Sequence, residues 1–250
     1  MNDHIIIVNT PKFDPDIYFH RLISQVRANP ATKKTPIVLL NNHYLDGLPM
    51  SLEHLGVNFV EGHANHESDF QLTNMEQAAH IIVLADDENN DDSDSLSFDI
   101  CYRMKEHGLA YRVIVECVND DNRERFKRIG VKTVIRPIRS YPEVLVRAME
   151  SPGAEILIED MFTGTNDLIM RYPLWLEGDK WQEVMMAMIA ENLGTPLAYV
   201  SKEGKVFVHP SNLDNVYAQS ILMLVRTDNV PTDSQVKDAF SVYHNKLLSA

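Results

Sequence analysis

Residues 57–87 read VNFVEGHANHESDFQLTNMEQAAHIIVLADD, and this stretch decides the fold. A short apolar strand at 57–60 ends in Glu61-Gly62. A polar, helix-forming segment near residues 69–77 closes on Ala78-Ala79-His80. A second apolar strand, residues 81–84, runs straight into Asp86-Asp87. The unit is strand–helix–strand, with carboxylates at the carboxyl end of its last strand. Open α/β sheets bind their ligands at that end.

The alternation extends outward in both directions. Residues 5–8, IIIV, form a continuous apolar run, the pattern of a strand buried on both faces of a parallel sheet. Residues 16–27 follow as a helix, with Phe19, Leu22, Ile23 and Val26 on one face. Asp14 stands at its N-cap position and Pro15 at its first helical position. Further strands are predicted at 36–40, 112–118 and 131–135. Further helices are predicted near 95–107, with Leu96, Ile100 and Met104 on one face, at 121–129 and at 142–150. Six strands alternating with helices predict a Rossmann-like, doubly wound parallel sheet over residues 1–150. After Ser151-Pro152-Gly153 the character changes. Residues 151–172 read as a helical crossover, a helix–turn–helix interrupted at Thr163-Gly164-Thr165. Residues 173–250 predict a smaller α+β lobe. Its parts are a helix at 181–193 ended by Gly194, a strand at 197–201 with a hairpin return at 206–208, a strand at 220–226, and a final helix after Pro231.

Charge and cysteine usage narrow the class. The net charge of −13 argues against a nucleic-acid partner, which needs clustered Lys and Arg, and against an electrostatic membrane-surface contact. Cys101 and Cys117 have no metal or redox spacing and read as free thiols of a reducing compartment. No apolar run approaches the ~20 residues of a membrane span, and no signal-peptide pattern is visible. The expectation is a soluble intracellular chain, or the soluble part of something larger.

The first βα turn removes the commonest reading of such a sheet. Dinucleotide folds place G-x-G-x-x-G there, so that the backbone can approach a pyrophosphate at the helix N-terminus. Residues 8–16 read VNTPKFDPD: no glycine, two prolines, and two aspartates that would repel phosphate. Asn41-Asn42 stand where an acidic residue would hold a ribose. The turn argues against an ordinary NAD-dependent dehydrogenase, and no nucleophile–base constellation is visible. A degenerate Rossmann nucleotide sensor or enzyme stays as the alternative.

With the strands placed, residues 57–87 resemble the centre of a regulator of potassium conductance (RCK) domain. The matching elements are FVEG at 59–62 and LTNMEQAAHIIVLADD at 72–87. RVIVECVNDDNRERFKRIGVKTVIRP at 112–137 resembles the family's next strand, helix and strand. The crossover and the tail resemble the remaining parts more weakly. The resemblance implies a non-catalytic, ligand-sensing gating-ring subunit on the cytoplasmic side of the plasma membrane. Such subunits dimerise through the crossover and assemble into rings. Ligand binding in a cleft changes the angle between lobes and pulls on a transmembrane potassium pore. That pore is absent from this chain, and residues 1–4 lie where a linker from it would enter. Two departures stand out: the family's Gly-Asp turn is Gly62-His63 here, and the glycine-rich first loop is missing. In the family, that loss marks channel-type domains not gated by NAD.

The candidate ligands follow. Asp86, Asp87, Glu88, Asp91, Asp92 and Asp94 form an acidic loop after the fourth strand, and Glu116 lies toward the carboxyl end of the next one. Clustered carboxylates supply the oxygens that hard divalent cations take. Asp86, Asp87, Glu88 and Glu116 are therefore the predicted cation ligands, calcium first, against the simpler reading of solvated or helix-capping acids. By the resemblance, Glu116 matches a glutamate of calcium-gated members, whereas the partner expected two residues on is Val118. Asn9, Asn41 and His63, after the first three strands, are the candidate cofactor contacts; a nucleotide ranks behind a cation and NAD last. His63 and His66 with Asp69 have a metal-compatible spacing, with polar surface as the simpler reading. Lys12, Arg136 and Arg139 could meet an anion or form surface ion pairs. Trp181, Met185, Met186, Met188 and Ile189 read as lobe core or subunit interface. Leu157, Ile158, Met161, Phe162, Leu168 and Ile169 make the crossover too apolar to stand in water.

Overall fold

The computed structural model describes residues 1–29, 31–137 and 141–248. It divides into two compact units, Met1–Pro142 and Glu143–Ala250.

The N-terminal unit is a six-stranded parallel sheet. Its strands are β1 (His4–Val8), β2 (Ile37–Asn41), β3 (Val57–Glu61), β4 (Ala78–Val83), β5 (Val113–Glu116) and β6 (Thr133–Ile135), in the order β3-β2-β1-β4-β5-β6. The chain starts in the middle and winds outward both ways, so the order reverses between β1 and β4. This confirms the doubly wound Rossmann-like sheet.

The apolar runs explain the two layers. β1 and β2 are buried along their whole length. Alternate side chains of a strand point to opposite faces. Ile5 and Ile7 therefore join Ile37, Leu39, Phe19 and Ile23 on the face covered by α1 (Pro15–Ala28) and α2 (Met50–Glu53). Ile6 and Val8 join Val38, Leu40, Ile81 and Val115 on the other face. Phe70, Ile100, Met104 and Phe126 cover that face from α3 (Glu67–Leu72), α4 (Ser93–Glu106) and α5 (Arg123–Arg128). Full burial of each such side chain contributes about 1.5–3 kcal/mol.

Three local expectations are corrected. The helix near 69–77 stops at Leu72. Asn74 takes a left-handed turn (φ 54°), a single 3-10 turn covers Met75–Gln77, and Ala78-Ala79-His80 open β4 instead of ending a helix. Pairing with β1, from His4 opposite Ala78 onward, overrides the helix preference of the two alanines. Asp14 does occupy the N-cap position of α1, but at φ 44° its side chain makes no cap bond. Residues 167–172, expected as the second helix of the crossover, are a strand. α7 (Ala154–Thr163) ends at Gly164, left-handed at φ 62°, and β7 (Asp167–Tyr172) then pairs antiparallel with β12 (Ser220–Arg226). The ladder to β12 satisfies the backbone groups that a second helix would have paired internally.

The C-terminal unit begins within α6 (Tyr141–Glu150) and holds a four-stranded sheet, β10-β9-β12-β7, with β9 (Thr195–Val200) and β10 (Val206–Val208) forming the predicted hairpin. A further pair, β8 (Leu176–Lys180) with β11 (Asn215–Ala218), was not foreseen. α8 (Trp181–Ala190) and α9 (Asp233–Leu248) pack together over a core of Trp181, Val184, Met188, Ile221, Met223, Val236 and Phe240. Of the methionine stripe, Met188 and Trp181 are core, whereas Met186 and Ile189 face solvent.

Candidate functional site

The carboxyl edge of the parallel sheet gathers the residues singled out in the sequence, and its centre is the reversal between β1 and β4. Here the loop after β1 is tied to the loop after β4. Asn9, left-handed at φ 69°, donates its side-chain amide to the Leu84 carbonyl at 3.0 Å. Lys12 donates its main-chain N–H to the Asp86 carbonyl at 2.8 Å. Its Nζ reaches Asp87 Oδ2 at 2.7 Å. The crevice that a G-x-G-x-x-G loop keeps open for a pyrophosphate is thus crossed by two hydrogen bonds and an ion pair. The Lys12 contact, followed by the Asn89 N–H on Oδ1, holds the Asp87 carboxyl below the usual carboxylate range.

Glu116 ends β5 and is 7% exposed. Its Oε2 accepts the Ala85 N–H at 2.9 Å and its Oε1 accepts the Tyr18 hydroxyl at 3.1 Å. Burial pushes its pKa up against these two bonds, and the charge of Glu88 adds to the rise. Burial and the Glu116 charge raise Tyr18 as well, so the phenol stays a donor. Asp86 is exposed and Glu88 half-buried at the mouth of the same edge.

The acids of the following loop divide by position. Asp94, 2% exposed in the first turn of α4, accepts the Val118 N–H at 2.7 Å, the Asn119 N–H at 3.0 Å and Asn122 Nδ2 at 2.8 Å. It clasps the β5–α5 loop to the start of α4. Asp91 accepts Asn119 Nδ2 at 2.9 Å, and Asp92 is exposed. Among the described residues, no three of these carboxylates bring ligand oxygens within 4.8 Å of one another.

The other candidates are placed as follows. Asn41 is 4% exposed; its Oδ1 accepts the His43 N–H, and its Nδ2 is buried without a partner. His63 Nε2 lies 3.2 Å from Asn42 Nδ2, and its N–H donates to Asp69 Oδ2 at 2.9 Å. That bond, ahead of Ser68 and His66, lowers the Asp69 pKa. The His63 and His66 rings are 5.4 Å apart, and His66 Nδ1 is 3.4 Å from Asp69. Gly62 is required at this turn, because a Cβ there would lie 2.6 Å from Asp69 Oδ2. Arg136 pairs with Asp120 at 3.4 Å; Arg139 lies outside the described residues. Both cysteines are free and buried, and burial pushes the two thiols up to about 12, far from reactive thiolates. Sequence reasoning missed Tyr18, Lys12 as a strap, and Asp94 as a clasp.

Comparison with known proteins agrees with this fold. The family model of the TrkA-N domain matches residues 50–137. The probable ion channel POLLUX of Oryza sativa subsp. japonica is 29% identical over 153 residues, 58% of this chain and 15% of its own length. The calcium-gated potassium channel TvoK of Thermoplasma volcanium is 22% identical over 171 residues, 67% of this chain and 46% of its own. The chain thus spans less than half the length of these relatives. No described helix is long and apolar enough to cross a membrane. The human SLO3 gating ring superposes with a TM-score of 0.67 at 14% identity, covering 90% of this chain and 48% of that one. Residues 50–137 thus match the TrkA-N family model, and the chain shares the fold of the human SLO3 gating ring.

Proposed function

We propose that this chain is a cytoplasmic, non-catalytic sensing domain of a potassium channel, a gating-ring subunit that couples effector binding to a pore formed outside the chain. One observation carries the reading. α7 buries none of its ten residues, and Ile156, Leu157, Met161 and Phe162 stand exposed on it. Leu145, Val146 and Met149 are exposed on α6, with Met149 at 83%. Monomers seldom leave so much large apolar surface in water. A second copy laid against the crossover, residues 151–172, covers it, and further contacts build the ring. Residues 1–150 and 173–250 are then the two lobes that such a dimer carries.

The effector site is the carboxyl edge. Asp86, Asp87, Glu88 and Glu116 offer hard oxygen donors suited to a divalent cation, calcium first. Glu116 feels the charge of Glu88 in a half-dry setting, and a cation would relieve that repulsion once the carboxylates turn inward to meet it. When bound, the cation supplies positive charge at the carboxyl end of β4 and β5. Gating requires only that it bind one ring shape more tightly than the other. The strap from Lys12 to Asp86 and Asp87 disfavours a dinucleotide pose and with it the Rossmann enzyme or sensor reading. Asn9, Asn41 and His63 remain the contacts for any nucleotide bound in another pose, Asn41 Nδ2 being the free donor among them.

Sedimentation across micromolar concentrations tests the assembly. Dimers or larger species are expected, and Leu157→Glu with Phe162→Glu should yield monomers; a clean monomer in the unsubstituted chain refutes the ring. Thermal shift tests the cation. Calcium at 100 times its dissociation constant stabilises by about 2.7 kcal/mol. Asp86→Ala, Asp87→Ala and Glu116→Ala should each abolish the shift, and an unchanged shift in all three removes the site.

A further inference from the structure

A second cluster lies wholly within the C-terminal unit. Asp179 is in β8, Glu183 in the first turn of α8, and His244 in α9. One ligand atom from each lies within 4.8 Å of the other two. His244 Nδ1 is 3.5 Å from Asp179 Oδ1 and 3.8 Å from Glu183 Oε2. Solvent does not reach this nitrogen, yet it has no hydrogen-bond partner. The two carboxylates are themselves largely covered, with side chains 15% and 22% exposed.

Those separations are long for hydrogen bonds. They suit a coordination shell instead: ligands about 2.1 Å from a tetrahedral ion are about 3.4 Å from one another. The first layer is also oriented from behind. Asp179 Oδ2 accepts the Glu177 N–H at 2.9 Å, which turns Oδ1 toward the histidine, and the Phe240 ring lies 5.7 Å from the imidazole. The β8–α8 junction sets the two carboxylates, and packing of α8 on α9 brings the histidine to them.

We propose that Asp179, Glu183 and His244 form a binding site for a divalent transition metal of the zinc class. The imidazole nitrogen decides the class, since calcium and magnesium take oxygen ligands whereas imidazole suits zinc and its neighbours. Three protein ligands leave one position for water or for a group from a partner. The bound ion pins α9 to the β8–α8 junction. This site is independent of the carboxylates at the sheet edge, and the two are separable by metal and by mutation.

The test uses the whole chain, stripped with chelator and titrated with zinc and with cobalt by calorimetry and visible absorption. One ion per chain is expected, with cobalt giving the absorption band of a low-coordinate site. His244→Gln and Asp179→Asn should each weaken binding tenfold or more while circular dichroism stays unchanged, and Glu116→Gln should leave zinc affinity untouched. Absence of binding at millimolar zinc overturns the proposal, as does equal affinity in His244→Gln and Asp179→Asn. If either variant fails to fold, Glu183→Gln decides by the same criterion.

Discussion

Asp94→Ala should weaken the N-terminal unit more than the loss of any other acid in its loop. The carboxylate is 2% exposed and serves four donors: Val118 N–H, Asn119 N–H and Asn122 Nδ2 at 2.7, 3.0 and 2.8 Å, and more weakly the Cys117 thiol at 3.6 Å. Hydrogen bonds to a charged group contribute about 1.5–3 kcal/mol each, and a buried donor left unpaired costs about 1–3 kcal/mol. Val118 is buried and gains no water when the acceptor goes, whereas Asn119 and Asn122 are half-buried and recover part of the loss. The expected destabilisation is therefore about 3–5 kcal/mol, among the largest for a single substitution. Asp94→Asn keeps one oxygen acceptor and should lose about half as much. Both tryptophans, Trp175 and Trp181, lie in the C-terminal unit, so tryptophan fluorescence reports the wrong region. Denaturant unfolding followed by circular dichroism is the assay, read as a lower midpoint at unchanged slope. A loss below about 1 kcal/mol would show that water replaces the carboxylate and that the clasp is not structural.

Burial raises the pKa of Glu116, so the native state holds this proton more tightly than the unfolded chain does. Stability contributed there is greatest at low pH and is lost as pH rises through the native pKa. Glu116→Gln should thus gain on the unsubstituted chain from about pH 4.3 upward, and a difference in melting temperature that stays flat with pH would refute this. Lys12→Met frees Asp87 from its ion pair and should raise the Asp87 pKa, seen by NMR titration. In the same variant calcium should bind a few-fold more tightly, because an exposed ion pair competes only weakly with the cation. At Gly194, φ is +133° and an added Cβ would lie 2.5 Å from the Leu224 carbonyl oxygen. Gly194→Ala should therefore cost about 1–3 kcal/mol, since the backbone must shift, and an unchanged midpoint would contradict that close approach.

Much of the fold is legible in the sequence because its signals are local. IIIV and IVLL are the continuous apolar runs of strands covered on both faces, and the helices between the strands show their apolar faces at helical spacing. The failures share one cause. Ala78-Ala79-His80 and residues 167–172 have helix-compatible composition, but each is claimed by a strand distant in sequence, β1 for the first and β12 for the second. The pair β8–β11 is worse still, since LEGDK has neither alternation nor β-branched residues.

The same distinction governs the site. That Asp86 and Asp87 stand at the ligand end is readable, because chain order fixes which end of β4 they follow. What each acid does is not readable, because burial and distant donors decide it. Asp87 meets Lys12 across the sheet reversal, Glu116 meets Tyr18 from α1, and Asp94 turns inward at the first turn of α4 to meet the β5–α5 loop. Asp92, two residues earlier, stays in water. The missing glycines of the first loop show the same limit from the other side. Their absence argues in sequence against a pyrophosphate cradle. Only the folded chain shows what stands in its place: Asn9 and Lys12 closing the crevice that those glycines would have kept open. A loop that is strapped shut at the reversal leaves the acids on its rim as the groups able to meet a small ion. On the proposed reading, effector chemistry would therefore sit at the edge of the sheet rather than beneath it.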